Sequence, residues 1–201
     1  MLAGSLHFRQ LKSAGFSLIE VLVSIVVLTF GLLGMVGMQA ASLQANREAN
    51  LQSSAIILAR ELSEMIRGNK VIGVLTTANP YLGTFNSPLT TATPSYCLNV
   101  GSTACATPTD VANAEMTEWL ARVDSLLPGA RVISCFDTTP YDAITGLPTW
   151  ACTNGPNAVI VIKVGWTRSS TNKGNSGAAA LDRVGDATSL PSIVLPVTAG
   201  V

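Results

Sequence analysis

Few residue types in this chain can do chemistry, and most of those are carboxylates and cysteines. Glu20 sits inside "GFSLIEVLVSIVVL", residues 15 to 28, where every neighbour but two serines is apolar or glycine. An unpaired carboxylate in hydrocarbon costs at least about 2.5 to 3.5 kcal/mol, so its chemistry is that of an anion in need of a cation. Further along, Asp137 and Asp142 lie near or between Cys135 and Cys152, and Glu115 and Glu118 are three apart on a helix face. Paired carboxylates can serve acid and base catalysis or hold a cation. Solvated surface is the commoner role for such pairs, and it is the role expected here. The one histidine, His7, precedes the apolar run in the company of Arg9 and Lys12. If that leader is removed, the commonest general base and metal ligand goes with it. No glycine-rich phosphate loop follows a strand, and no Gly-x-Ser-x-Gly nucleophile motif occurs. No catalytic, cofactor or metal site is expected, and the chain reads as a non-enzyme.

The four cysteines, Cys97, Cys105, Cys135 and Cys152, all follow the apolar run and form no Cys-x-x-Cys pair. Zinc-type spacing is missing, so disulfides in an oxidising compartment are favoured over metal ligation or reduced core thiols. Three connectivities are open. The sequence-local one, Cys97 with Cys105 and Cys135 with Cys152, is preferred; each bridge would close a short loop and contribute roughly 2.5 to 3 kcal/mol.

These residues need elements to position them. A chain of 201 residues suits an anchor and one small domain. Charged residues are 12% of the chain, with twelve basic and twelve acidic side chains, so no broad surface attracts nucleic acid or anionic lipid. From Phe16 to Met38 the only polar residues are Ser17, Glu20, Ser24 and Thr29. As a helix this run is about 35 Å long against a hydrocarbon core of about 30 Å, so it can cross a bilayer. Arg9 and Lys12 ahead of it hold the leader on the cytoplasmic side and send the rest across.

Helical periodicity continues past the span. Leu51, Ala55, Leu58, Leu62 and Met65 make one face, and Gly68 is the stop signal. The spacing predicts a helix from Phe16 to about Arg67, on the order of 78 Å long. Packing of its outer half on the protein's own strands is preferred over a coiled coil. Gly31, Gly34 and Gly37 interrupt it, each costing roughly 1 kcal/mol relative to alanine. They mark either close helix contact or a segment able to bend.

Beyond Lys70, a Thr, Ser, Pro, Gly and Asn mixture predicts irregular connection to Pro108. Asp110 is placed as the cap of a helix whose apolar face is Val111, Met116, Trp119, Leu120, Val123, Leu126 and Leu127, ended by Pro128 and Gly129. Strands are predicted over 130–136, 158–166 and 192–197, the last at a sheet edge because of Pro196. "NKGNSGAAA", residues 172 to 180, is expected to be a turn or mobile loop.

"GFSLIEVL" resembles the processing and assembly motif of bacterial type IV prepilins: glycine, then phenylalanine, then a glutamate five residues into an apolar span. "GLLGMVGMQAASLQANREANLQSSAIILARELSEMIRGN" is similar to the N-terminal half of the minor pilins called type IV pilus modification proteins. "DSLLPGARV" and "VIKVGW" agree more weakly with that family's globular part. The resemblance implies an α+β pilin fold, a long N-terminal α-helix packed on a small antiparallel β-sheet with disulfide-closed loops. It implies a cleaved leader over 1–15, a transmembrane or filament-core half over 16–38, an amphipathic half over 39–67 and a globular head over 68–201. A prepilin peptidase would cut between Gly15 and Phe16 and methylate the new amine of Phe16. Glu20 would then pair with the terminal amine of a neighbouring subunit. The resemblance also implies other minor pilins and the major pilin as partners, residence in the inner membrane with a periplasmic domain before assembly, and a later place in the extracellular fibre near its tip. The corresponding role is priming assembly for surface attachment and twitching motility. A minor pseudopilin of a type II secretion system shares the same N-terminal chemistry. A pilus-tip subunit for adhesion or DNA uptake, meeting its ligand through 71–108 or 167–191, belongs to another class. An ordinary signal peptide is disfavoured because its apolar core is shorter and free of acids.

Overall fold

The structure, a computed structural model, describes residues 15–170, 174–186 and 189–198. The leader with His7, Arg9 and Lys12, and the first two residues of the 172–180 loop, lie outside the described residues. Contacts divide the chain into two units, Met1–Asn46 and Arg47–Val201.

Helix α1 (Leu18–Gly68) runs through the boundary between them. Within the first unit every described residue is exposed, including Phe16 at 83% and Leu18 at 91%. The absence of proline before Pro80 lets the backbone ladder continue, and the hydroxyls of Ser24 and Thr29 bond back to the carbonyls of Glu20 and Val26 at 2.7 and 2.8 Å. Such back-bonding hides a polar side chain without breaking the helix. This part of α1 is long and apolar enough to cross a membrane.

In the second unit α1 turns a three-and-four spaced stripe inward: Ala55, Leu58, Ala59, Leu62, Ser63 and Ile66 are buried. Leu51 and Met65, expected on that face, lie half-buried at its margin. Each fully buried leucine or isoleucine contributes about 1.5 to 3 kcal/mol. After a single turn, α2 (Lys70–Gly73), comes β1 (Gly83–Asn86), and then α3 (Pro108–Leu126). Strands β2 (Arg131–Asp137) and β3 (Val159–Gly165) follow. A two-residue ladder of β4 (Arg168–Ser169) with β5 (Leu181–Asp182) leads to β6 (Ile193–Val197). Residues Gly177–Ala180 of the predicted loop form a 3₁₀ turn.

The four-stranded sheet has the order β1-β2-β3-β6 and is antiparallel throughout. Because successive strand residues alternate in side, its register fixes two faces. Val132, Ile160, Ile162, Val164 and Val197 share one, and they join the buried stripe of α1 and Met116, Trp119, Leu120 and Val123 of α3 in one core. The opposite face carries Ile133, Cys135 and Asp137 of β2 beside Val161 and Lys163 of β3. The connection between β2 and β3 folds back over it: Cys152 bonds to Cys135, and the Trp150 ring lies 4.6 Å from the Arg131 guanidinium and against Gly165. Pro196, opposite Val161, sits on the edge strand where its missing N–H breaks no ladder.

Three local expectations change. The connection from Lys70 to Pro108 holds a strand, because Gly83–Asn86 pairs with Arg131–Ser134. Asp110 is not the cap of α3. Thr107 is: its hydroxyl accepts from the Asp110 N–H at 3.2 Å while the Asp110 carboxylate accepts from the Thr107 N–H at 3.0 Å, the reciprocal capping box. Leu126 is half exposed rather than part of the buried face, since at 100° per residue it lies about 80° from the centre of the stripe made by Met116, Val123 and Leu127.

Candidate processing and assembly site

The N-terminal segment is built from the helix start outward. Ser17 begins α1: its carbonyl accepts from the Glu20 and Val21 N–H groups at 3.0 and 3.3 Å, and its hydroxyl accepts from Ile19 at 3.4 Å. Gly15 and Phe16 therefore precede the regular helix. No atom lies within 4 Å of where a Cβ on Gly15 would stand, so the peptide between these two residues is open to approach.

Glu20 falls in the first turn of α1, where the unpaired N–H groups favour a negative charge. Phe16, Glu20, Val21, Ser24, Ile25 and Leu28 line a shallow open groove along one side. The hydroxyls of Ser17, Ser24 and Thr29 are all engaged with local backbone. The Glu20 carboxylate has no hydrogen-bond or ion-pair partner among the described residues. Chemically this is an apolar surface with a single unspent anion. Gly31, Gly34 and Gly37 lie within unbroken helix, and a Cβ on any of them would meet nothing within 4 Å.

The remaining carboxylates are committed to the fold of the second unit. Asp137 is buried, not solvated as expected: its Oδ2 accepts from Lys163 Nζ at 2.6 Å, with both side chains fully out of water. Burial would raise the pKa of this carboxyl, but the Lys163 ammonium and the N–H groups of Thr139 and Thr153 overcome that and hold it below the usual range. Glu115 accepts from the buried Tyr81 hydroxyl. Burial first, and then that carboxylate, push the phenol well above its ordinary pKa. Glu118 is exposed. Asp142 is exposed and closes a tight turn by accepting from Thr145 N–H, Thr145 hydroxyl and Ile144 N–H at 2.7 to 3.0 Å, which lowers its pKa.

Asp137 and Asp142 thus do not form a pair, nor do Glu115 and Glu118. Among the described residues no group of three His, Cys, Asp or Glu side chains could hold a metal ion. The cysteines pair locally, Cys97 with Cys105 and Cys135 with Cys152, with Cα atoms 5.0 and 6.3 Å apart. Lys163 escaped the reading of the sequence. Its signal was a lone cation in the otherwise apolar "VIVIKVG", in register beside Ile133 and on the same face as Asp137.

Two family models match the chain. The prokaryotic N-terminal methylation motif matches residues 11–36, and the Tt1218-like family, described as type IV pilin Tt1218, matches residues 37–118. No curated protein matches, and no solved structure does. The first match contains Gly15, Phe16 and Glu20, and implies processing by prepilin peptidase and assembly with other pilins. The second belongs to a structural family rather than an enzyme family. These two matches run end to end over residues 11–118, and a long N-terminal helix leads into a small antiparallel sheet with two disulfides; sequence and fold together support a type IV pilin.

Proposed function

We infer that this pilin is a minor subunit that helps start or join fibre assembly near the tip, and so supports surface attachment and twitching motility. The observation that carries the reading is the unpartnered Glu20 carboxylate on an apolar helix exposed at every described position before Asn46. Such an anion is costly in lipid alone, and a matching cation relieves that cost. Cleavage between Gly15 and Phe16 creates that cation. The methylated amine of Phe16 on one molecule pairs with Glu20 on the next as their spans bundle.

In this reading residues 1–15 are a cleaved leader, 16–38 are first a single inner-membrane span and then part of the filament core, 39–67 are the amphipathic half of the helix, and 68–201 are a periplasmic head later displayed on the fibre. Gly31, Gly34 and Gly37 supply the weak stretch of helix that adjusts to bundle packing. Other minor pilins and the major pilin are the partners.

Mass spectrometry of sheared fibres tests this directly. The expected chain begins at Phe16 and carries one added methyl group; a different first residue refutes the reading. Glu20→Ala is expected to leave processing intact while reducing incorporation by about tenfold or more, the equivalent of one lost charge pairing of about 1.4 kcal/mol or above. Normal incorporation of that variant would overturn the pairing.

A further inference from the structure

The two disulfides do different jobs in this structure. The Cys97–Cys105 bridge closes a loop whose N-terminal approach α3 already holds by neutral bonds: Ser95 N–H donates to the Thr117 hydroxyl at 3.0 Å and the Thr93 hydroxyl to Asn113 at 2.7 Å. Exposed residues Tyr96, Leu98 and Val100 surround it, so little is buried beneath it.

Cys135–Cys152 sits at the most demanding polar site among the described residues. Cys135 lies on β2, two residues before Asp137 and on the same side of the strand. Lys163 lies on the same face of β3. On the other side of the bridge, the two neighbours of Cys152 complete the ion pair. Ala151 presents its carbonyl to Lys163 Nζ, and Thr153 N–H donates to Asp137 Oδ1 at 3.0 Å. Thr139 N–H donates to the same oxygen at 2.9 Å, and the Thr153 carbonyl accepts from Thr138 N–H and hydroxyl at 2.9 and 3.0 Å. Trp150, one residue further back, lies against Gly165 and Arg131.

We propose that Cys135–Cys152 is a redox latch that admits the Lys163–Asp137 pair to the protein interior, so that the sheet's second face closes only after this bond has formed. An ammonium and a carboxylate satisfy each other only in part. Buried together they need further donors and acceptors, and here residues 151 and 153 bring them. Those residues belong to a long connection that contains Pro140, Gly146 and Pro148, and the covalent bond is what anchors it to the strand besides the hydrogen bonds of Thr153 with Asp137 and Thr138. In the closing step two thiols lose two electrons and two protons to a disulfide oxidant, which leaves as a dithiol. A dithiol reductant such as dithiothreitol reverses it.

The opened state exposes both charges to water, which makes it a folded form that waits for oxidation rather than a wholly unfolded one. The proposal concerns the second unit only and stands independently of the assembly reading.

The test is hydrogen exchange on the detergent-solubilised full chain, comparing C97S/C105S with C135S/C152S. Loss of the second bridge is expected to speed exchange at Thr139 and Thr153 by at least about 100-fold while loss of the first changes it by less than about threefold. Equal effects of the two, or no effect of the second, overturn the proposal. Should C135S/C152S fail to fold, the same pair is combined with K163M/D137L, which removes the buried charges. Recovery of a cooperative fold supports the latch. Failure to recover shows that the bridge acts by chain constraint alone and refutes it.

Discussion

Lys163→Met is the sharpest single perturbation of the head. It removes an ammonium whose side chain is fully buried and leaves Asp137 in the same cavity with only the N–H groups of Thr139 and Thr153. Breaking a buried ion pair from one side costs about 3 to 5 kcal/mol, because the remaining charge is uncompensated. For a unit of this size that corresponds to a fall in Tm of roughly 6 to 20 °C. Urea denaturation of the detergent-solubilised chain, followed by tryptophan fluorescence, reads the same loss as a lower midpoint with little change in slope. Trp119 and Trp166 are buried in the unit and report its opening. The companion K163M/D137L replaces both charges by apolar groups of comparable volume and is expected to recover most of the loss. If Lys163→Met costs less than about 1 kcal/mol, the pair is not buried in the way described and the account of the sheet's second face fails.

Acid should act through the same carboxyl. Asp137 has a folded pKa below its unfolded value, so its contribution is full above about pH 4 and is lost as pH falls through the lower folded value. A urea-midpoint series from pH 6 downward should show this loss, and K163M/D137L should flatten it. Gly165→Ala places a Cβ 2.9 Å from Val184 Cγ1 and 3.0 Å from the Trp150 ring, and is expected to destabilise by about 1 to 3 kcal/mol with a changed near-ultraviolet spectrum. An unchanged spectrum and midpoint would show that Trp150 does not lie on that glycine. Gly31, Gly34 and Gly37 offer the opposite case: alanine at all three meets no atom, and should stiffen the helix by about 1 kcal/mol per site. Assembly counted by fibres per cell is expected to fall, and an unchanged count would remove any need for a weak stretch there.

Much of this architecture was legible because periodicity and composition spoke strongly. The run from Phe16 to Met38 has only Ser17, Glu20, Ser24 and Thr29 as polar residues and no proline, so it reads as helical and membrane-length. "VIVIKVG" was equally plain as a strand, being β-branched nearly throughout. Strand β1 was hidden because "GTFN" has only four residues and two of them are turn formers; it becomes a strand by pairing with β2, a tertiary cause. Asp137 misled for a related reason. Aspartate at a strand end ordinarily faces water, and only the folded register shows that Lys163 lies on the same face, four residues beyond Val159, which pairs with Asp137. At the N-terminus, Glu20 was conspicuous because nothing in its own run could neutralise it.

The contact between α1 and α3 has one more consequence. The indole N–H of Trp119 donates to the Leu58 carbonyl at 3.0 Å, and the Asn69 amide donates to the Pro108 carbonyl at 2.7 Å. The two fastenings lie eleven residues apart on each partner and run in opposite directions: on α3 this is about three helical turns, so both fall on one side of it, while on the α1 side one is on the helix and the other, Asn69, is one residue past its end. Greasy surfaces alone let neighbouring rods glide. Here a slip of one turn, about 5.4 Å, would disengage both teeth together, which holds the rods to a single setting while the intervening 71–106 segment changes in length or composition.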